Sequence, residues 1–160
     1  MKKITFIICL LVVISCKKEV SETIIFNTVV QDYSDVFSEV EEQKLSKKIL
    51  KYEKLTTNQI CIYTIDSIPN NLETLEHAVA LANNLGVGTK EKNNGLLILI
   101  SKADRELAIT TGYETEKSIT DSLAFSIIEN TIIPEFKNGD YFKGVNTGLD
   151  SIIAKWDELK

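Results

Sequence analysis

The chain has little of what usually announces a chemistry. Its 160 residues hold one histidine, His77, so a histidine-rich zinc site has no imidazoles to draw on. No Gly-x-Ser-x-Gly stretch occurs, and with a lone histidine a serine nucleophile lacks its usual base. Three cysteines, at positions 9, 16 and 61, are too few for a disulfide scaffold. No apolar run reaches the roughly twenty residues of a membrane helix. Basic residues are outnumbered, 18 against 23 acids, which argues against nucleic acid or anionic lipid headgroups as the main partner. That balance suits a cation or a basic protein surface. Internal repeats and low-complexity tracts are also absent.

What is present begins at the N-terminus. Lys2 and Lys3 precede an apolar run over residues 4–14, interrupted only by Thr5 and Cys9, and small Ser15 stands before Cys16. The run is about eleven residues, the length of a signal-peptide core. Val13-Ile14-Ser15-Cys16 resembles a bacterial lipobox, whose cysteine is diacylated and becomes the new N-terminus. A plain signal or short anchor with an incidental cysteine is the alternative. The expectation is a lipoprotein signal over 1–15 and a lipid on Cys16 that holds the protein to a membrane. That places it in the cell envelope, extracytoplasmic, on the periplasmic face or the cell surface; Lys17-Lys18-Glu19 resembles a surface-export tag. Removing residues 1–15 takes Lys2 and Lys3 from the 18 basic residues and leaves 16 against 23 acids, a net of −7. Cys61 is then the one free thiol, within the apolar strand-like run Gln59-Ile60-Cys61-Ile62-Tyr63, and reads as buried and inert.

Residues 16–28 read as a tether and N-terminal arm, and 29–160 as one monomeric domain. Residues 24–30 are apolar and β-rich, either an edge strand or a packed arm. Ser38 opens a helix with Glu41 three positions on as a capping box, and Phe37, Leu45, Ile49, Tyr52 and Leu55 share its inner face. A strand follows over 58–65. Leu72, Leu75, Val79 and Ala82 then mark the inner face of a helix that Gly86 stops, with His77 off that face. Residues 96–100 form an unbroken apolar strand, suited to the centre of a sheet covered on both faces. A turn over 101–105, with Asp104 and Arg105 as an ion pair, returns the chain as a second strand over 107–111. Helices resume over 119–132 and break at Pro134, and a last helix carries Phe142, Val145, Leu149, Ile152, Ile153 and Trp156 on one face. One parallel pair crossing through a helix, followed by an antiparallel hairpin, predicts a three-layer α/β/α Rossmann-like sandwich around a small mixed sheet.

This order sorts the acids onto the two ends of the sheet. Glu114, Glu116 and Asp121 lie at one end, on a loop leading into a helix, and offer the oxygen ligands a hard cation needs. Their spacing is not that of an EF-hand, and the plainer reading is that they solvate a turn or favour a helix dipole. A second acidic cluster, Asp32, Asp66, Asp104 and Asp140, collects at the other end. The glycine-rich loop 86–95 follows a helix and precedes a strand, the reverse of a nucleotide cradle, and lacks a Gly-Lys-Ser/Thr ending.

Several stretches together resemble the TPM domain, a family named for a thylakoid lumen protein, a photosystem II repair protein and a receptor modulator. They are Val30-Gln31-Asp32-Tyr33, Leu85-Gly86-Val87-Gly88, Asn93-Asn94-Gly95-Leu96-Leu97, Asp104-Arg105, Gly112-Tyr113 with Glu116, Asp121, and Pro134-Glu135-Phe136 with Gly139-Asp140-Tyr141 and Gly144. The chain departs from the family where Leu85 replaces Trp, Ala108 replaces Arg and Glu114 replaces Gly. Losing the arginine removes an anion partner, and gaining Glu114 adds a carboxylate beside Glu116. The resemblance implies a Rossmann-like fold, Ca2+ or Mg2+ binding in some members and an acid phosphatase activity in a plant member. The expected function is a lipid-anchored, cation-binding domain that assists or modulates an envelope protein complex. The alternative is a metal-assisted phosphatase acting on phosphomonoesters.

Overall fold

The computed structural model describes residues 29–69 and 72–158. The expected signal, Cys16 and residues 24–28 of the arm lie outside them. Four strands, β1 (Val30–Asp32), β2 (Gln59–Ile65), β3 (Gly95–Ser101) and β4 (Glu106–Thr111), stand in that order in one sheet. The first three are parallel, and β4 returns antiparallel to β3. The sheet therefore has two parallel pairs where the sequence predicted one. The edge strand β1 is only three residues long, and its apolar signal merges with that of the preceding arm.

All seven residues of β3 are buried, which requires cover on both faces. On one face Ile60, Ile62, Leu96, Ile98 and Ile100 meet two 18-residue helices, α1 (Glu39–Thr56) and the C-terminal α6 (Tyr141–Glu158). On the other, Cys61, Leu97, Leu99 and Ala108 meet the single helix α2 (Thr74–Leu85). Helices α1 and α2 thus lie on opposite faces, although both connect a strand to its next neighbour in the same direction. Two such crossovers have opposite hands, so one departs from the right-handed rule.

The capping box at Ser38 is present: the Glu41 carboxylate accepts from the Ser38 N–H at 2.8 Å and from its hydroxyl at 2.7 Å. Leu45, Ile49 and Tyr52 face the core, but Leu55 is 75% exposed, because half-buried Thr56 takes the inner position of the last turn. Lys48, expected to point into solvent, ties α1 to α6 through Asp150 at 2.6 Å.

Helix α2 differs more. Its one buried residue is Ala78, with Leu81 and Ala82 partly covered, while Leu72, Leu75 and Val79 are 46, 55 and 42% exposed. The helix is apolar on two adjoining stripes. It docks through the one with small Ala78, which allows close approach to Leu97, Leu99 and Ala108. His77, expected off the inner face, is half-buried beside that stripe.

Pro134 does not end the helical run. A one-turn α3 (Tyr113–Glu116) precedes α4 (Asp121–Ile127), and a π-helical turn over Ile128–Ile132 leads directly into α5 (Ile133–Lys137). Pro134 sits in the first turn of α5, where its missing N–H has no partner to lose. Helix α6 buries Val145, Leu149, Ile152 and Trp156, as its stripe predicts.

Three glycines of the loop segments mark a backbone crossing. A Cβ on Gly95 would stand 2.2 Å from the Val87 carbonyl oxygen, and one on Gly112 would stand 2.3 Å from that of Asn93. Gly88, at φ 92°, closes the same contact from the other strand. Buried Asn94 locks it further: its Oδ1 accepts from the Thr89 N–H at 3.1 Å, and its Nδ2 donates to the Thr57 carbonyl at 2.6 Å. Gly95→Ala should therefore cost about 3 kcal/mol or more, the upper end of overpacking. Gly86→Ala, at φ 67° with open space around it, should cost only about 1–2 kcal/mol of left-handed strain. Urea unfolding of the two variants checks the ranking.

Candidate functional site

The carboxyl ends of β1, β2 and β3 gather the second acidic cluster, and most of its carboxylates are already engaged. Asp32 ends β1 and bridges back into the α1 entry: its two oxygens accept from the N–H groups of Val36 at 3.1 Å and Phe37 at 2.7 Å, and Thr64 donates its hydroxyl as well. Asp104 accepts from the Ser101 hydroxyl and the Ile68 N–H, both at 2.7 Å. These two donors, the hydroxyl first, hold its carboxyl below the usual range. The expected Asp104–Arg105 ion pair does not form, since Asp104 turns inward to these donors and Arg105 adopts φ 58°. Asp140 accepts from the Lys143 N–H at 2.9 Å and so starts α6. Asp66 is exposed in the turn after β2, where its carbonyl accepts from the Ala103 N–H.

What lies between these caps is a cavity of about 450 Å³ with a basic lining of Lys102, Arg105 and Lys137. Phe136, Ile133 and Leu107 supply its apolar wall, and Ser101, Tyr141 and Glu106 its other polar groups. Lys102 is held in place by the carbonyls of Ser34 at 2.6 Å and Asp35 at 3.2 Å. The sequence does carry these cations, but on three separate segments with no pattern that links them.

A second feature missed in the sequence is the acidic entry to α1. Glu42 is pushed above its ordinary value, first by burial and then by the charges of Asp32, Glu39 and Asp35. Four carboxylates thus meet around the turn that Asp32 caps. Only a helical reading that starts one turn before Ser38 would have joined them.

At the opposite end, Glu114 and Glu116 lie on α3 and Asp121 opens α4 behind the Thr120 cap. All three are exposed, and Glu114 pairs with Lys117 at 2.6 Å. Among the described residues no group of three or more His, Cys, Asp or Glu side chains is placed to hold a metal. As arranged, the acids at either end do not form a preorganised Ca2+ or Mg2+ cage. Cys61 is buried, and burial pushes its thiol up to about 12, which leaves it un-ionised at neutral pH.

The fold and the marker segments define the class. The family model of the TPM domain matches residues 30–155, and the chain belongs to the TPM domain family. Among solved structures it is similar to the N-terminal domain of a protein from P. gingivalis, with 25% identity, 86% of each chain covered and a TM-score of 0.75. It is also similar to the BA42 protein of the psychrophilic bacterium Bizionia argentinensis, with 19% identity, 79% of this chain and 86% of that one covered, and a TM-score of 0.68. The N-terminal domain of the cg2496 protein from Corynebacterium glutamicum gives 15% identity, 79% and 78% coverage, and a TM-score of 0.62. The last two likenesses concern the fold alone. No curated protein matches the chain in sequence.

The Glu42 shift has a definite sign. A folded-state value raised above the ordinary 4.5 stabilises the fold below that pH, and the contribution is lost as pH rises through the raised value. Ionised Glu42 therefore costs stability at neutral pH. Glu42→Gln should raise Tm at pH 7 by no more than about 4 °C, since the group is well solvated and worth under about 1 kcal/mol. The gain should disappear below pH 4.5, and calorimetry at the two pH values checks both halves.

Proposed function

We propose that this TPM domain is exported, tethered through lipid on Cys16, and acts as an accessory factor by docking on a protein of the cell envelope. The observation that carries the reading is the outer stripe of α2. Leu72, Leu75 and Val79 stand 46, 55 and 42% exposed in a row on the only helix covering that face. Tyr113, 80% exposed, follows Gly112, which lines a shallow pocket together with Val79. Scattered apolar residues are ordinary on a surface, but a contiguous row of large ones marks a contact for another protein. The acidic balance of the chain favours a partner surface with basic residues around an apolar centre.

A photo-crosslinker at Leu75 in cells should give one discrete protein adduct that is lost when Val79→Asp is added. A crosslinker at Lys47, on the exposed face of α1, should give none. Identical adduct patterns from both positions would reject the docking surface. Val79→Asp should leave stability within about 0.5 kcal/mol, as surface substitutions do.

Divalent cations belong to the same proposal as weak ligands. Without a preformed cage, Glu114, Glu116 and Asp121 would contribute one or two carboxylates each to an ion that keeps much of its water, as Mg2+ often does. The basic cavity supports a second reading, a metal-assisted phosphatase, because Lys102, Arg105 and Lys137 suit a phosphoryl group. Titration with Ca2+ or Mg2+ up to about ten millimolar, within the range of weak sites, separates the two. On the first reading amides around Glu116 and Asp121 shift, and a phosphomonoester stays intact. On the second, hydrolysis appears only with metal and is lost in both Glu116→Gln and Lys137→Ala.

A further inference from the structure

The outer edge of β2 is only half covered. Strand β1 lies beside Ile62, Tyr63 and Thr64, and among the described residues no strand flanks Gln59, Ile60 and Cys61 on that side. Next to this bare stretch is a cavity of about 380 Å³. Leu50 of α1 and Ile60 form one wall, and Leu85, Val87 and Cys61 form the other. The polar side chains at its rim bind neighbours: Gln59 accepts from the Gly88 N–H at 2.8 Å and donates to Glu53 at 2.9 Å. What remains open is an apolar slot at a sheet edge, the kind of feature that folded proteins cover.

Val29, the first described residue, lines the same slot, so the chain before it arrives at the slot's mouth. Residues 24–28 read Ile-Ile-Phe-Asn-Thr, three large apolar side chains close to that point. Residues 17–23, Lys-Lys-Glu-Val-Ser-Glu-Thr, are polar, so the apolar stretch stops where the slot ends its reach. At about 3.3–3.6 Å per extended residue, Phe26 lies within roughly 10 Å of Val29. We propose that residues 24–28 occupy this cavity, beside Gln59, Ile60 and Cys61, with Ile24, Ile25 and Phe26 against Leu50, Ile60, Leu85 and Val87. Covalent continuity favours this occupant over a strand from another molecule, because a segment a few residues away is present at an effective concentration of about millimolar or more. The arm then completes the edge that three-residue β1 leaves open.

Buried Cys61 lines the slot and provides the test. In the full chain, Ile25→Cys and Phe26→Cys are made singly, oxidised, and mapped by peptide mass spectrometry. At least one should form a disulfide to Cys61 within the same chain, and a Lys18→Cys control should form none. A disulfide joining two chains would assign the slot to a second copy and overturn the proposal. Failure of both positions to reach Cys61 would overturn it too. A readout without introduced cysteines is amide hydrogen exchange in the Ile25→Asp, Phe26→Asp double variant. Exchange at Gln59, Ile60 and Cys61 should rise at least tenfold over the unaltered chain while Leu97, Ile98 and Leu99 of β3 hold steady. Unchanged exchange at β2 in a folded variant would show that the arm does not cover it.

Discussion

Burying β3 on both faces is the constraint from which the rest of the molecule follows. Seven consecutive residues out of water need two layers of cover, and the chain supplies them unequally. One face receives α1 and α6, with large side chains from Leu45 to Trp156 filling the space. The other receives α2 alone, through a contact centred on Ala78. A helix that docks by its small residues comes close to the sheet but turns its large ones outward. The exposed Leu72, Leu75 and Val79 are thus the consequence of how β3 is covered on its thinner side.

Placing α1 and α2 on opposite faces requires two successive crossovers of opposite hand, and the price falls on the loops. The connection from α2 to β3 must turn sharply, which it does where Gly88 and Gly95 touch backbone to backbone. The return from β4 passes against Asn93 at Gly112. Asn94 then joins this crossing to the end of α1 through the Thr57 carbonyl. Read as a sequence, the glycines and asparagines of 86–95 invite comparison with a ligand loop. Their role in the fold is to let three backbone segments approach more closely than any side chain would permit.

Much of this was legible because it rests on local patterns. The capping box at Ser38, the seamless apolar run of β3 and the stripe of α6 each depend on residues a few positions apart, and each appears where expected. The failures share a different cause. Choosing between two apolar stripes on α2 depends on what faces it across space. The survival of the helix past Pro134 depends on a π turn that lets α4 run on into α5. Leu55 is exposed because the inner position of the last turn of α1 falls to Thr56. None of these is decided by spacing along the chain, so periodicity alone had no means of deciding them.

The acids show the same limit in its most consequential form. A carboxylate just after a strand or just before a helix faces backbone N–H groups that need an acceptor, and those groups are always closer than any ion. Asp32, Asp104 and Asp140 are all claimed in this way, by Phe37, Ile68 and Lys143 respectively. Counting acids at one end of the sheet therefore counts caps along with candidate ligands. Once the caps are set aside, the open cavity at that end is lined by Lys102, Arg105 and Lys137, and the local charge is opposite to that of the chain as a whole. The surplus negative charge sits instead at the entry to α1, where Glu42 bears the cost of Asp32, Glu39 and Asp35. A ligand for this domain is best sought by where charge is left unpaid after the fold has taken its share. On that criterion the acidic turn would attract a cation and the basic cavity an anion, on the same end of one sheet.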